Sequence, residues 1–323
     1  MSQKSGASGA QRSGKGGERA FLDPAVVGKL QRLDLIARLV AEGFLTGLHK
    51  SPYHGFSVEF AEHRQYMPGD PIRFVDWKLY AKSDRYYIKE YEEETNLRAY
   101  ILLDTSSSML FQSDPEGLSK LRYSVSLAAA MAYLMIQQQD AVGLLTFSDK
   151  IHKLVPARST GPHLRVLFRE MELEARRSLQ EKEEEPRGTR IGRSLDFLAD
   201  RIHRRGLVII LSDFWDQNDA EVVRALKHFR HRRHEVVVFH IQDPAEAEFP
   251  YKEEGIFVDL ETGEKLNVLP WEAAKEYRKR MDERIAFYKR AAAENNISYE
   301  RVLTRTTYDL ALLRYLEKRQ RLH

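Results

Sequence analysis

The chain changes rhythm along its length. From residue 98 onward, runs of nearly continuous apolar residues alternate with stretches whose apolar positions recur every third or fourth residue. The runs are RAYILLD (98–104), AVGLLTFS (141–148) with KIHKLVP (150–156) beside it, GLVIILSD (206–213), EVVVFHIQD (235–243) and ISYERVL (297–303). Strands this uniformly apolar are covered on both faces, which is the condition of a parallel sheet between helices. The helical stretches are LRYSVSLAAAMAYLMIQQQ (121–139), HLRVLFREMELE (163–174), RIGRSLDFLADRIH (190–203), about 219–232, about 271–294, and a short one from Tyr308. The predicted fold class is therefore α/β, a doubly wound, mostly parallel sheet of Rossmann type over residues 98–323. GIFVDLETGEKLNVL interrupts it with a hairpin centred on Thr262-Gly263.

Ahead of this region the pattern is different. Asp23-Pro24 opens a helix, and Val26, Leu30, Leu33, Ala37 and Val40 keep helical spacing, so a single helix is expected from Asp23 to about Gly43. Residues 44–97 are short pieces punctuated by Gly and Pro, with aromatics interleaved and a strand-like YYIKEY near the end. They predict an irregular or β-rich segment, which with the helix makes residues 21–97 a separate N-terminal portion. Residues 1–20 are a Gly/Ser-rich tail with almost nothing to bury.

Composition narrows the class. Apolar residues at 42% and charged residues at 31% describe a globular protein. The longest weakly polar run, SVSLAAAMAYLMI, is too short to span a bilayer and reads as a buried helix. The N-terminus lacks a secretory h-region, and without cysteine there are no disulfides or thiolate metal sites, so the cytoplasm is the expected compartment. The net charge of +3 sits in the tail, where Lys4, Arg12, Lys15 and Arg19 face Glu18 alone, leaving residues 21–323 neutral. That balance argues against a nucleic-acid-binding domain. GAQRSGKG (9–16) nearly spells a phosphate loop, but Gly16 stands where Ser or Thr is required and no strand precedes it.

The candidate chemistry lies at strand ends, where open α/β sheets place their functional groups. Asp104 ends the first apolar run and is followed by three serines; Asp213 ends another, and Asp243 a third. Three readings of DTSSS compete: a cap for backbone N–H groups, an aspartyl nucleophile, or half of a metal site. Asp104, Ser106 and Ser108 alternate, so a turning loop can direct one carboxylate and two hydroxyls into one space. These are hard oxygen donors suited to Mg²⁺ or Mn²⁺. Thr189, in GTRIG before a helix, and Asp213 would complete such a set. As a nucleophile Asp104 lacks the second aspartate two positions on that haloacid-dehalogenase-type phosphatases use, since Ser106 stands there.

DTSSS, Thr189 and Asp213, in this order and after these strands, resemble the metal-ion-dependent adhesion site of von Willebrand factor A domains. The resemblance implies that Ser106, Ser108 and Thr189 bind a divalent ion directly or through water, while Asp104 and Asp213 help to hold it. A second resemblance covers EFAEHRQYMPGDPIRFVDWKLYAKS, with Arg64, Tyr66, Pro68-Gly69-Asp70, Arg73 and Asp76-Trp77, together with SPYHGFSVEF and YIKEYEEET. These segments look like the bacterial family called domain of unknown function 58, which joins them to a von Willebrand A-like domain. The family implies a non-enzymatic protein-interaction module that acts with a MoxR-type AAA+ ATPase in chaperone-like assembly, an acidic side chain of the partner completing the metal shell. A Mg-dependent phosphatase using Asp104 is the alternative. A nucleic-acid adaptor using the tail and HFRHRRHE (228–235) is the third reading. The residues of RQYMPGDPIRFVDW themselves predict structural roles, a Pro-Gly-Asp turn, a packed Trp77, and Arg64 and Arg73 paired with Asp70 or Asp76.

Overall fold

The computed structural model describes residues 23–27, 29–30, 32–49, 63–65, 80, 86–89, 97–181, 191–216, 218–260 and 262–320. The chain divides into two compact units, residues 48–96 and the remainder. In the smaller unit β1 (His63–Gln65) pairs antiparallel with β2 (Tyr87–Lys89), His63 opposite Lys89. The Tyr80 and Tyr86 rings stack with centroids 4.4 Å apart. The stretch from Tyr66 to Trp77, with its expected turn and pairs, lies outside the described residues, as do residues 1–22.

The larger unit begins with α1 (Pro24–Val27) and α2 (Leu33–His49). Here the structure corrects the single helix expected from Asp23 to Gly43. Asp23 accepts from Ala25 N–H at 2.9 Å, but after one turn the backbone bonds close early, Lys29 to Val26 and Leu30 to Val27. A fresh helix then starts where Ile36 N–H reaches the Arg32 carbonyl. Asp34 in its first turn suits the positive end of the new helix and pairs with Arg32.

The sheet follows in the predicted order. Its strands are β3 (Arg98–Asp104), β4 (Ala141–Phe147), β5 (Ile151–Arg158), β6 (Leu207–Ser212), β7 (Glu235–Gln242) and β10 (Ser298–Leu303). Across the sheet they run β10-β7-β6-β3-β4-β5. All neighbours are parallel except β4 and β5, which form an antiparallel edge. The chain goes from β3 to β4 on one side and later to β6 on the other, so strand order reverses at β3. The separate hairpin of β8 (Gly255–Val258) and β9 (Lys265–Val268) turns through Gly263, whose φ of 73° suits glycine.

Helices α3 (Lys120–Gln137) and α4 (Gly161–Glu181) cover one face with α9 (Tyr308–Gln320). α3 is apolar nearly all round because it is enclosed nearly all round. Its Tyr123 stacks on Tyr308 of α9 at 4.8 Å and donates to the Thr306 carbonyl at 2.9 Å. α5 (Ile191–Arg201), α6 (Asp219–His231) and α8 (Pro270–Glu294) bury Leu102, Ile210 and Val238 on the other face. Burial of each such side chain is worth about 1.5–3 kcal/mol. Two close approaches require glycine: a Cβ at Gly206 would stand 2.2 Å from the Arg98 carbonyl oxygen, and one at Gly192 would stand 2.8 Å from Glu221 Cβ. A short helix absent from the sequence reading, α7 (Pro244–Glu248), follows β7.

Candidate functional site

β3 and β6 are neighbours on which the chain leaves the sheet in opposite directions, and their carboxyl ends carry Asp104 and Asp213. The loop after β3 is pinned from both sides. Thr105 donates its N–H and hydroxyl to the Phe147 carbonyl at 2.8 and 3.1 Å, and Ser178 of α4 donates its hydroxyl to the Thr105 carbonyl at 3.0 Å. Asp104 Oδ1 then accepts from Ser106 N–H at 2.9 Å, and Oδ2 accepts from the Ser212 hydroxyl at 2.5 Å. Ser106 and Ser108 bring their hydroxyl oxygens within 3.1 Å of each other, and Ser108 faces Asp213. Ser107 opens a 3₁₀ turn, Ser107–Leu110, that returns the chain towards α3.

On the β6 side, Asp213 Oδ1 accepts from Trp215 N–H at 3.0 Å and Oδ2 from the Lys120 ammonium at 2.7 Å. Lys120, only 1% exposed, also donates to Glu246 Oε1 at 2.5 Å. The other oxygen of Glu246 accepts from Asp243 N–H at 2.9 Å, and Asp243 accepts from Ala245 N–H, a capping box that starts α7. Asp243, a strand-end candidate, is thus a helix cap. Phe214 is left-handed at φ 51°, a conformation costing about 1–3 kcal/mol. Its N–H bonds Ser212 Oγ at 2.9 Å and its carbonyl accepts from Arg284 at 2.6 Å, which holds it there.

Charge in this buried setting is unevenly shared. Burial and then the nearby Asp213 carboxylate raise Asp104 to about 7. Burial also opposes ionisation of Asp213, but the Lys120 ammonium outweighs it and holds Asp213 below the usual carboxylate range. Lys120 itself is desolvated, yet Asp213 and Glu246 raise it above its ordinary value, so it is charged. Burial keeps Glu246 raised in spite of Lys120. His240, buried behind Phe214, is lowered to about 3 and is neutral.

The structure brings together Asp104, Ser106, Ser108 and Asp213; Thr189 lies outside the described residues. The first turn of α5, which begins two positions later, is tied to the loop after Asp213 by Gly192 N–H and Asp216 at 2.9 Å. Among the described residues, no three His, Cys, Asp or Glu side chains converge in a metal-binding group. Lys120, Ser212 and Glu246 were not singled out from the sequence. The spacing D-P-A-E at 243–246 was a legible capping signal for Glu246, whereas a lysine before an apolar helix reads as a solvated flank. In the basic stretch 228–235 His228 meets Asp196 at 2.9 Å, Arg232 meets Asp200 at 2.5 Å, Arg230 meets Glu235 at 3.0 Å and His234 is buried, while His231, Arg232 and Arg233 are exposed.

Among the described residues no helix is long and apolar enough to cross a membrane. Uncharacterised proteins of Mycobacterium bovis and Mycobacterium tuberculosis are each 27% identical over 244 residues, 75% of this chain and 73% of theirs. Among solved structures, an aerotolerance-related membrane protein of Bacteroides fragilis is 20% identical with a TM-score of 0.46, covering 69% of this chain and 99% of that one. BatB of Bacteroides thetaiotaomicron gives 18% and 0.44 at the same coverage. The SpRpn10 VWA domain gives 10% and 0.35, covering 68% and 94%. A family model described as protein of unknown function DUF58 matches residues 62–291, most of the chain, and the protein belongs to that family.

Proposed function

We propose that this protein is a non-enzymatic interaction module whose strand-end oxygens hold a divalent cation, Mg²⁺ or Mn²⁺. In this reading Asp104, Ser106, Ser108 and Asp213, joined by Thr189, form the holding set. The observation that carries it is the meeting of the two serine hydroxyls with two buried carboxylates at the point where strand order reverses. The donors are hard oxygens, as these ions require. Charge also fits: with Asp104 ionised, three carboxylates around one lysine leave two negative charges, which one divalent cation balances. A bound ion of this kind offers a coordination position to a carboxylate from another protein. This chain's residues then fix the loop through Phe147 and Ser178, exclude water behind Asp104, and share Asp213 with Lys120.

The partner proposed is a MoxR-type AAA+ ATPase, with chaperone-like assembly of protein complexes as the process and the cytoplasm as the setting. The support is the family resemblance. An aspartyl nucleophile is less favoured because Ser106 stands where haloacid-dehalogenase-type chemistry places its general acid.

The test is titration calorimetry with Mn²⁺ on the wild type and on Ser106→Ala/Ser108→Ala, followed by retention of a purified MoxR-type ATPase with Mn²⁺ or EDTA. Saturable binding lost in the double variant, with retention lost in EDTA, supports the reading. Equal retention under all conditions refutes its metal-dependent part.

A further inference from the structure

Next to Ser108 the surface opens into a cavity of about 190 Å³. That is below the roughly 300–1,000 Å³ of small-molecule and cofactor sites and suits one side chain. Six aromatic residues are in its lining, Phe111 and Trp215 followed along the chain by Phe249, Tyr251, Phe257 and Tyr277. The last four form one cluster: Phe249 packs against Tyr277 at 4.6 Å, Tyr251 at 5.2 Å and Phe257 at 5.7 Å. The remaining charged groups in the lining are the carboxylates of Glu246 and Asp259, with no lysine or arginine among them.

We propose that this pocket receives the guanidinium side chain of an arginine presented by a partner protein. Aromatic faces carry negative quadrupoles and attract a cation placed over them, and arginine also stacks flat on such rings. The protein already uses this chemistry on one side of the pocket, where the Arg284 guanidinium carbon lies 5.0 Å from the Trp215 ring centre. Lys120 lies beneath Phe111, 5.8 Å from its ring centre, and Lys120 and Arg284, the latter paired with Asp219, offset two of the Asp213, Asp219, Glu246 and Asp259 charges. The local balance remains negative. Burial, then Glu246, pushes Tyr277 up to about 12, and burial with Asp243 and Glu246 raises Tyr251. A protein is favoured as the source because the hairpin that walls the pocket exposes further apolar side chains, Ile256 at 65% and Leu266 at 66%. Ser108 lines the pocket and bonds Asp213, so a divalent ion at the proposed cation site would add positive charge beside it, and the pocket is tested with that ion removed.

The test is nuclear magnetic resonance titration of the ¹⁵N-labelled full chain in EDTA. The probes are acetyl-Gly-Arg-Gly-amide and the Glu and Phe analogues, read at the Trp215 indole N–H, which Trp215→Phe assigns. The arginine peptide is expected to saturate in the millimolar range, and the glutamate and phenylalanine peptides to leave the resonance in place. Tyr251→Leu should weaken binding roughly tenfold, the scale of a desolvated cation–π contact. Asp259→Asn, which keeps an acceptor for Thr262 N–H, should weaken it severalfold, and Gly161→Ala, where an added Cβ meets nothing within 4 Å, should not change it. A phenylalanine peptide that binds as tightly as the arginine peptide overturns the proposal. So does an arginine shift that fails to saturate or is unchanged in Tyr251→Leu and Asp259→Asn.

Discussion

Lys120 delivers a positive charge to Asp213, at 2.7 Å, from the first turn of α3, although the N-terminal end of a helix is the unfavourable end for a cation. Both side chains are almost wholly buried. The pair persists because Glu246 accepts a hydrogen bond from a second ammonium N–H, and Ser108 and the Trp215 N–H share the Asp213 carboxylate. Lys120→Met strands two buried carboxylates, and the expected loss is about 3–5 kcal/mol in denaturant unfolding. Adding Asp213→Asn to Lys120→Met should recover part of that loss. Strictly additive losses would show that the two charges act independently.

Asp104 gives the metal-free protein a pH signature. Its carboxyl titrates at about 7 in the fold, against roughly 3.9 in an unfolded chain. Between those values the native state binds more protons than the unfolded state, so this group's contribution is full below about pH 4 and fades as pH rises to about 7. Thermal midpoints measured in EDTA from pH 4 to 8 should lose that part of their slope in Asp104→Asn. Stabilisation by Mg²⁺, if the proposed site is loaded, should be larger at pH 8 than at pH 6, because the ion displaces a proton from Asp104.

Ser178 acts on the site without entering it. Its hydroxyl holds the Thr105 carbonyl, so Ser178→Ala should cost about 1 kcal/mol and raise amide exchange at Thr105 and Ser106. Unaltered exchange there would mean that the Phe147 contacts alone fix the loop.

Gly206 tests the sheet that carries the site. Alanine there has no room beside the Arg98 carbonyl and should destabilise by roughly 1–3 kcal/mol. Gly161→Ala, where an added Cβ meets nothing within 4 Å, is the control and should leave the midpoint unchanged or slightly higher.

The strands were legible because β3, β6 and β7 are apolar on both faces, and no helix of this composition and length competes with that pattern. The split between α1 and α2 was not, since Leu30, Leu33 and Ala37 keep helical phase across it. Gly28, a poor helix former, and Asp34, an acidic first-turn residue, were the only local signs. The Asp104–Ser106–Ser108 cluster could be read from one loop. Lys120 could not, because its partners lie 93 and 126 residues further along, and only the finished sheet brings them to it.

The bond between Asp104 and Ser212 spans 108 residues of chain. A polypeptide still emerging during synthesis, with β3 through α4 made but β6 not yet delivered, has the serine loop but neither Ser212 nor Asp213. Because pairings of such separation close late, the bond between Asp104 and Ser212 marks the stage at which β6 has docked beside β3, while β7 and β10 are still to be added.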